Sequence, residues 1–187
     1  MRNRLFISFG IIGPLIAYLA IGLSISFSSW FSWEKNALSD LGHVQRSSMA
    51  SIFNFGLLLS GFLMAIYAIK ALNMHAKYTS MPLTFSAFML QAVATFDEIY
   101  GVLHFSVSVL FFIAIGLSCL VYAIEKRSAL AAAAFAVGLL AWILYFGGAY
   151  RAGVAVPETI SAVAATLVVV RTSLIMLSEK GKTSLPI

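Results

Sequence analysis

The chain has 187 residues, 61% of them hydrophobic and only 10% charged, with a net charge of +5 and a mean hydropathy of +0.96. So few charges cannot cover a soluble domain, and the composition points to a lipid bilayer. Cys119 is the only cysteine, which excludes an intrachain disulfide and a cysteine-based zinc site. No phosphate loop, HExxH, GxSxG or nucleic-acid pattern is present.

Six apolar runs, each about long enough to cross a ~30 Å hydrocarbon core, follow one another along the chain: 5–30, 49–72, 78–95, 102–124, 130–146 and 157–177. They predict an all-α protein, a single six-span bundle over residues 1–187. The first run exceeds the 7–15 residues or so of a signal-peptide core and has no small-residue cleavage site, so it reads as a span. Pro14 is expected to kink or loosen it, and Gly56 and Gly61 in the second span to permit close helix contact. "YAIK" (67–70) and "YAIE" (122–125) end spans two and four alike, as a shared exit through the membrane interface.

Charge orients the bundle. With a cytoplasmic amino terminus, nine basic residues (Arg2, Arg4, Lys70, Lys77, Lys126, Arg127, Arg171, Lys180, Lys182) fall inside and three (Lys35, Arg46, Arg151) outside. That satisfies the positive-inside rule with both termini cytoplasmic in the plasma membrane. Five of the seven acids (Glu34, Asp40, Asp97, Glu98, Glu158) lie outside. The basic balance is then a topology signal plus affinity for anionic lipid, and nucleic acid is not an expected partner. Arg171 lies close enough to the inner head groups to reach them by snorkelling.

The outer face carries the longest polar stretch, "SWEKNALSDLGHVQRSS" (32–48), anchored by Trp30, Phe31 and Trp33. Asn36 as N-cap and Gly42 just past the end enclose a short interfacial helix over 37–41. At 100° per residue, Asn36, Ser39, Asp40 and His43 share a face opposite Leu38 and Leu41. Two readings are open. Either the polar face meets water, or it covers an outer pocket as a lid, with Asp40 or His43 facing Asp97 or His104. Asn54, Gln91 and Ser108 lie a turn or two below that surface, and Glu158 opens span six. Each has a structural alternative: helix–helix hydrogen bonding for Asn54 and Gln91, a solvated turn for Asp97 and Glu98, and a favourable dipole position for Glu158. Together with Asn36, Ser39, Asp40, His43, Asp97 and His104 they outline a polar pocket.

"WFSWEKNALSDLG" (30–42), "IFNFGLLLSG" (52–61), a histidine near the start of span four and the "VPE" entry to span six resemble the domain of unknown function 998 family of archaeal and bacterial multi-pass membrane proteins. The resemblance implies a compact bundle of about six helices with no assigned chemistry, in which Asn36, Ser39, Asp40, Gly42 and Asn54 are the best matched positions. The expected function is an outward polar pocket that binds a lipid or small ligand. The first alternative is a membrane-embedded, metal-dependent hydrolase acting on lipid, with Asp40, His43, Asp97 and His104 as catalytic candidates. A small transporter or channel is the second. No cofactor, metal or oligomeric state follows from the residues. In a Cys119→Ser background, a thiol placed at Asp40 should react with a membrane-impermeant reagent from outside only; labelling from inside would reverse the topology.

Overall fold

The computed structural model of the chain describes residues 2–149 and 151–182; the side chains of Arg2, Lys180 and Lys182, counted above, lie outside the described residues. Six helices cross the molecule: α1 (Arg2–Ser26), α2 (Ala50–His75), α3 (Lys77–Thr95), α4 (Val102–Glu125), α5 (Ala129–Phe146) and α6 (Ala155–Lys182). No strand occurs among the described residues. Five of the helices are long and apolar enough to span a membrane. The less apolar α3 has 19 residues, about 28 Å at ~1.5 Å per residue. The molecule is a helical membrane bundle.

Sequence neighbours pack against one another around the bundle, α6 closes back onto α1, and α4 also touches α6. Small residues set the closest approaches. A methyl group on Gly56 would collide with Ala20 of α1, and one on Gly61 would stand 2.8 Å from the Ala87 carbonyl of α3. Pro14 sits within a continuous α1. A buried cluster with Met64, Tyr67, Tyr122 and Met176 fills the end near the termini. Tyr67 and Tyr122 are both buried, and α2 continues past "YAIK" to His75, whereas "YAIE" does end α4. Arg171 is exposed on the flank of α6.

α3 matches the hydropathy reading to within a residue, α2 runs on to His75 and α6 covers Ala155–Lys182, while the first span ends early. α1 stops at Ser26, where residues 27–37 turn back in short loops that mix Phe27, Trp30, Phe31 and Trp33 with serines, Glu34, Lys35 and Asn36. α3 begins at Lys77 with Pro82 inside it, and its first turn is capped from another helix: Glu125 at the end of α4 accepts the amides of Tyr78 (3.2 Å) and Thr79 (2.8 Å) and the Thr79 hydroxyl (2.7 Å).

The long connections 27–49, 96–101 and 147–154 all lie at the opposite end, and the first and third are stitched together by backbone bonds. Gly153 donates to the Trp33 carbonyl (2.8 Å) and Ala155 to that of Asn36 (2.9 Å). A Cβ at Gly153 would stand 2.7 Å from the Asn36 nitrogen and closer still to its carbonyl oxygen. Gly153→Ala should therefore part the two loops, costing ~1–3 kcal/mol and lowering the melting temperature in detergent. Gly22→Ala, whose new methyl meets nothing within 4 Å, should hold or raise it. Equal melting temperatures for the two variants would refute the stitching role.

Candidate functional site

The segment read as an interfacial α-helix is a single 3₁₀ helix over Leu38–Gly42. With three residues per turn, side chains three apart eclipse, so Leu38 and Leu41 point one way and Asp40 and His43 another. Leu41 is fully buried with Ala17, Phe53, Leu57 and Ala94, and Leu38 packs against the same cluster. Ala37, not Asn36, precedes the first turn, and the cap comes from inside: Asp40 Oδ2 accepts from the Ala37 amide (3.0 Å) and the Asn36 side chain (2.8 Å). Gly42 is not a left-handed terminator. It lies so close to α2 that a Cβ would stand 2.9 Å from the Phe53 ring, and its carbonyl accepts from Asn54 (2.8 Å).

Two carboxylates from other elements hold this turn. Glu158, in the first turns of α6, accepts the Leu38 amide at 2.7 Å. Glu98, in the connection between α3 and α4, accepts the Ser39 hydroxyl at 2.7 Å. Asp97 accepts the Val44 amide (3.0 Å) and caps its own turn through Ile99 (3.2 Å).

Below the turn lie two cavities. A central one of about 130 Å³ runs between Pro14, Leu57, Leu83 and Phe112 up to Leu38, Ser39 and Glu158. A groove of about 880 Å³ runs along α4, α5 and α6. Its walls include Phe105, Phe112, Ile113, Leu139 and Phe146, and its polar groups are Ser39, Glu98, His104, Ser108, Trp142, Tyr145, Glu158 and Ser161. Phe105, Ile113, Leu139 and Phe146 are also exposed on the bundle surface, so the groove opens sideways. Ser39, Ser108 and Glu158 border both spaces.

Of the residues expected to form the pocket, Ser39, His104, Ser108 and Glu158 line it. Asn36, Asp40, His43, Asn54, Gln91 and Asp97 do not. Asn36, Asp40, Asn54 and Asp97 hold the loops. His43 is buried, with its Nδ1 accepting from the Gln45 amide (3.3 Å), and Gln91 bonds back to the Ala87 carbonyl (3.2 Å) against Gly61. The covering turn thus meets the cavities through Ala37, Leu38 and Ser39, not through its Asp40–His43 edge. His104 Nδ1 lies 2.7 Å from the Phe96 carbonyl, which can only accept, so Nδ1–H donates. Nε2 stands 3.4 Å from the Ser108 hydroxyl oxygen. Among the described residues no three His, Cys, Asp or Glu side chains are placed to hold one metal ion.

The sequence reading missed Glu98, Trp142 and Ser161 as groove residues. Trp142 donates to the Ser161 hydroxyl (3.1 Å) across the α5–α6 hairpin. Trp142, Tyr145 and Phe146 at i, i+3 and i+4 were a visible signal for one aromatic face.

Asp40 and Glu98 share a hydrogen bond and titrate together. Burial, then the bond to Asp40 and its negative charge, push Glu98 up to about 7 against the Ser39 hydroxyl and Arg46. For Asp40, burial alone acts upward, but bonds from Glu98, Asn36 and the Ala37 amide, with the charge of Arg46, hold it below the usual carboxylate range. The shared proton therefore resides on Glu98. Because the folded protein holds that proton more tightly than the unfolded chain, Glu98 contributes stability at pH below ~4.5 that is lost as pH rises through about 7. Wild-type melting temperature should fall between pH 5.5 and about 8 more steeply than that of Glu98→Gln, which keeps a neutral donor; parallel profiles would rule out the shared proton.

No curated protein and no solved structure matches the chain. The profile of one family, described as "Protein of unknown function (DUF998)", matches residues 11–174. That stretch takes in every residue lining both cavities and every contact of the covering turn. The chain is thus a helical membrane protein that belongs to this DUF998 family.

Proposed function

We propose that the protein binds one membrane amphiphile, with its chain in the groove along α4, α5 and α6 and its polar head beneath the 3₁₀ turn. The observation that carries this reading is the distribution of polarity in the groove. About 880 Å³ of space is walled mainly by aromatic and aliphatic side chains, within the ~300–1,000 Å³ range of ligand sites. Its carboxylates and its histidine gather toward the end where Ser39 meets Glu98 and Glu158. An amphiphile has that same division. The sideways opening suits a ligand delivered from the bilayer. The nine-to-three distribution of basic residues supports a polar end outside the plasma membrane with cytoplasmic termini.

The hydrolase reading needs metal ligands that converge, and His43 turns to the Gln45 amide while His104 turns to the Phe96 carbonyl. Binding is therefore the better-supported function. Transport would call for polar groups deep in the bundle, and the polar groups of the groove gather toward one end.

Trp142 lines the groove and the other two tryptophans, Trp30 and Trp33, lie in the first loop. In a Trp30→Phe/Trp33→Phe protein in detergent, a brominated-chain amphiphile should quench Trp142 saturably at low mole fraction. Gly116 also lines the groove, and a Cβ there would touch only the Phe135 ring at 3.9 Å. Gly116→Leu should fill the groove and weaken the quenching about tenfold or more without lowering the melting temperature. Quenching that never saturates, or that ignores Gly116→Leu, would defeat the proposal.

A further inference from the structure

We infer that the head group taken beneath the 3₁₀ turn is a cation, an alkylammonium bearing no phosphate, so that the ligand class is a long-chain amine. This rests on the groove reading above and adds the chemistry of the head.

Glu158 is 8% exposed. One of its oxygens accepts the Leu38 amide at 2.7 Å. The other has no hydrogen-bond partner among the described residues, although the side chain borders both cavities. A half-satisfied carboxylate facing apolar space is costly unless it gains a proton or a counter-charge. No lysine or arginine among the described residues lines either cavity. Glu98 stands at the same end, held by Ser39, with Asp40 behind it. Among the described residues the one basic group in the groove is His104, and its Nδ1–H is committed to the Phe96 carbonyl. The second Glu158 oxygen and the Ser108 oxygen can accept.

The head site therefore gathers two carboxyl groups that an added cation would hold ionised, and no lysine or arginine among the described residues lines it. It offers no cation to a fatty acid or a phosphate monoester. An ammonium offers what the site lacks: three N–H donors and a positive charge, set among acceptors in a poorly screened environment. A neutral alcohol can supply one donor and no charge. Ion-assisted hydrogen bonds exceed neutral ones by enough to separate the two about tenfold.

The experiment is competition against the brominated-chain probe in the single-Trp142 protein at pH 7, using hexadecylamine, hexadecanol, hexadecanoate and hexadecyl phosphate in the same detergent. Hexadecylamine should displace the probe at about one-tenth the concentration of hexadecanol, with both anions weaker than the alcohol. Glu158→Gln should cut the amine-to-alcohol ratio of competing concentrations, both measured in the variant itself, from about tenfold toward one. Where Glu158→Gln does not yield folded protein, Glu98→Gln should shrink the same ratio. If amine and alcohol compete equally, or if an anion competes best, the cation inference is overturned while groove binding stands. If none of the four displaces the probe, groove binding fails with it.

Discussion

A carboxylate removed from water must find donors, and Glu158 finds one in a backbone amide 120 positions away, at Leu38. That bond fixes the covering turn above α6. It sets Ser39 beside Glu98, lets Leu41 seal the cluster around Phe53, and leaves the cavities beneath. The same choice of partner recurs through the molecule. Asp40 accepts the Ala37 amide, Asp97 that of Val44, and Glu125 those of Tyr78 and Thr79. Acids here join segments by gripping backbone N–H groups that no local helix bond would satisfy. Such joints meet two needs at once, because the amide gains an acceptor and the buried carboxyl group gains a donor.

The helices were legible because about 20 consecutive apolar residues have few other uses. What apolarity could not mark was where helix gives way to interface-bound coil. Phe27 and Trp30 prolong the apolar run in the sequence, yet the chain leaves α1 at Ser26 and turns back through Trp30 and Trp33. The covering turn shows a second limit. A wheel at 100° separates its polar and leucine faces correctly but aims Asp40 and His43 over the bundle. At three residues per turn, with the leucines buried, that edge faces the adjoining loops instead. Over five residues the two periods are nearly indistinguishable from residue types alone.

The site was legible in part, for a related reason. Ser39, His104, Ser108 and Glu158 stand out as polar residues in or beside apolar runs, and all four border the groove. Glu98 looked like half of a solvated acidic pair, and nothing local distinguishes it from Asp97. Only the fold decides that Asp97 becomes a cap while Glu98 meets a serine 59 positions earlier. Long-range pairing of this sort has no signature in a single chain, whereas a depth below the membrane surface does.

The groove's sideways opening, flanked by Phe105, Ile113, Leu139 and Phe146, changes what concentration means for anything that enters it. On the binding proposed above, such a site would be filled according to the ligand's mole fraction among lipids, and its encounter rate would follow lateral diffusion in two dimensions. Aqueous solubility drops out of the equilibrium. Two ligands with equal contacts in the groove would then be ranked by how strongly each prefers the surrounding bilayer, so that lengthening a chain need not strengthen its occupancy at all.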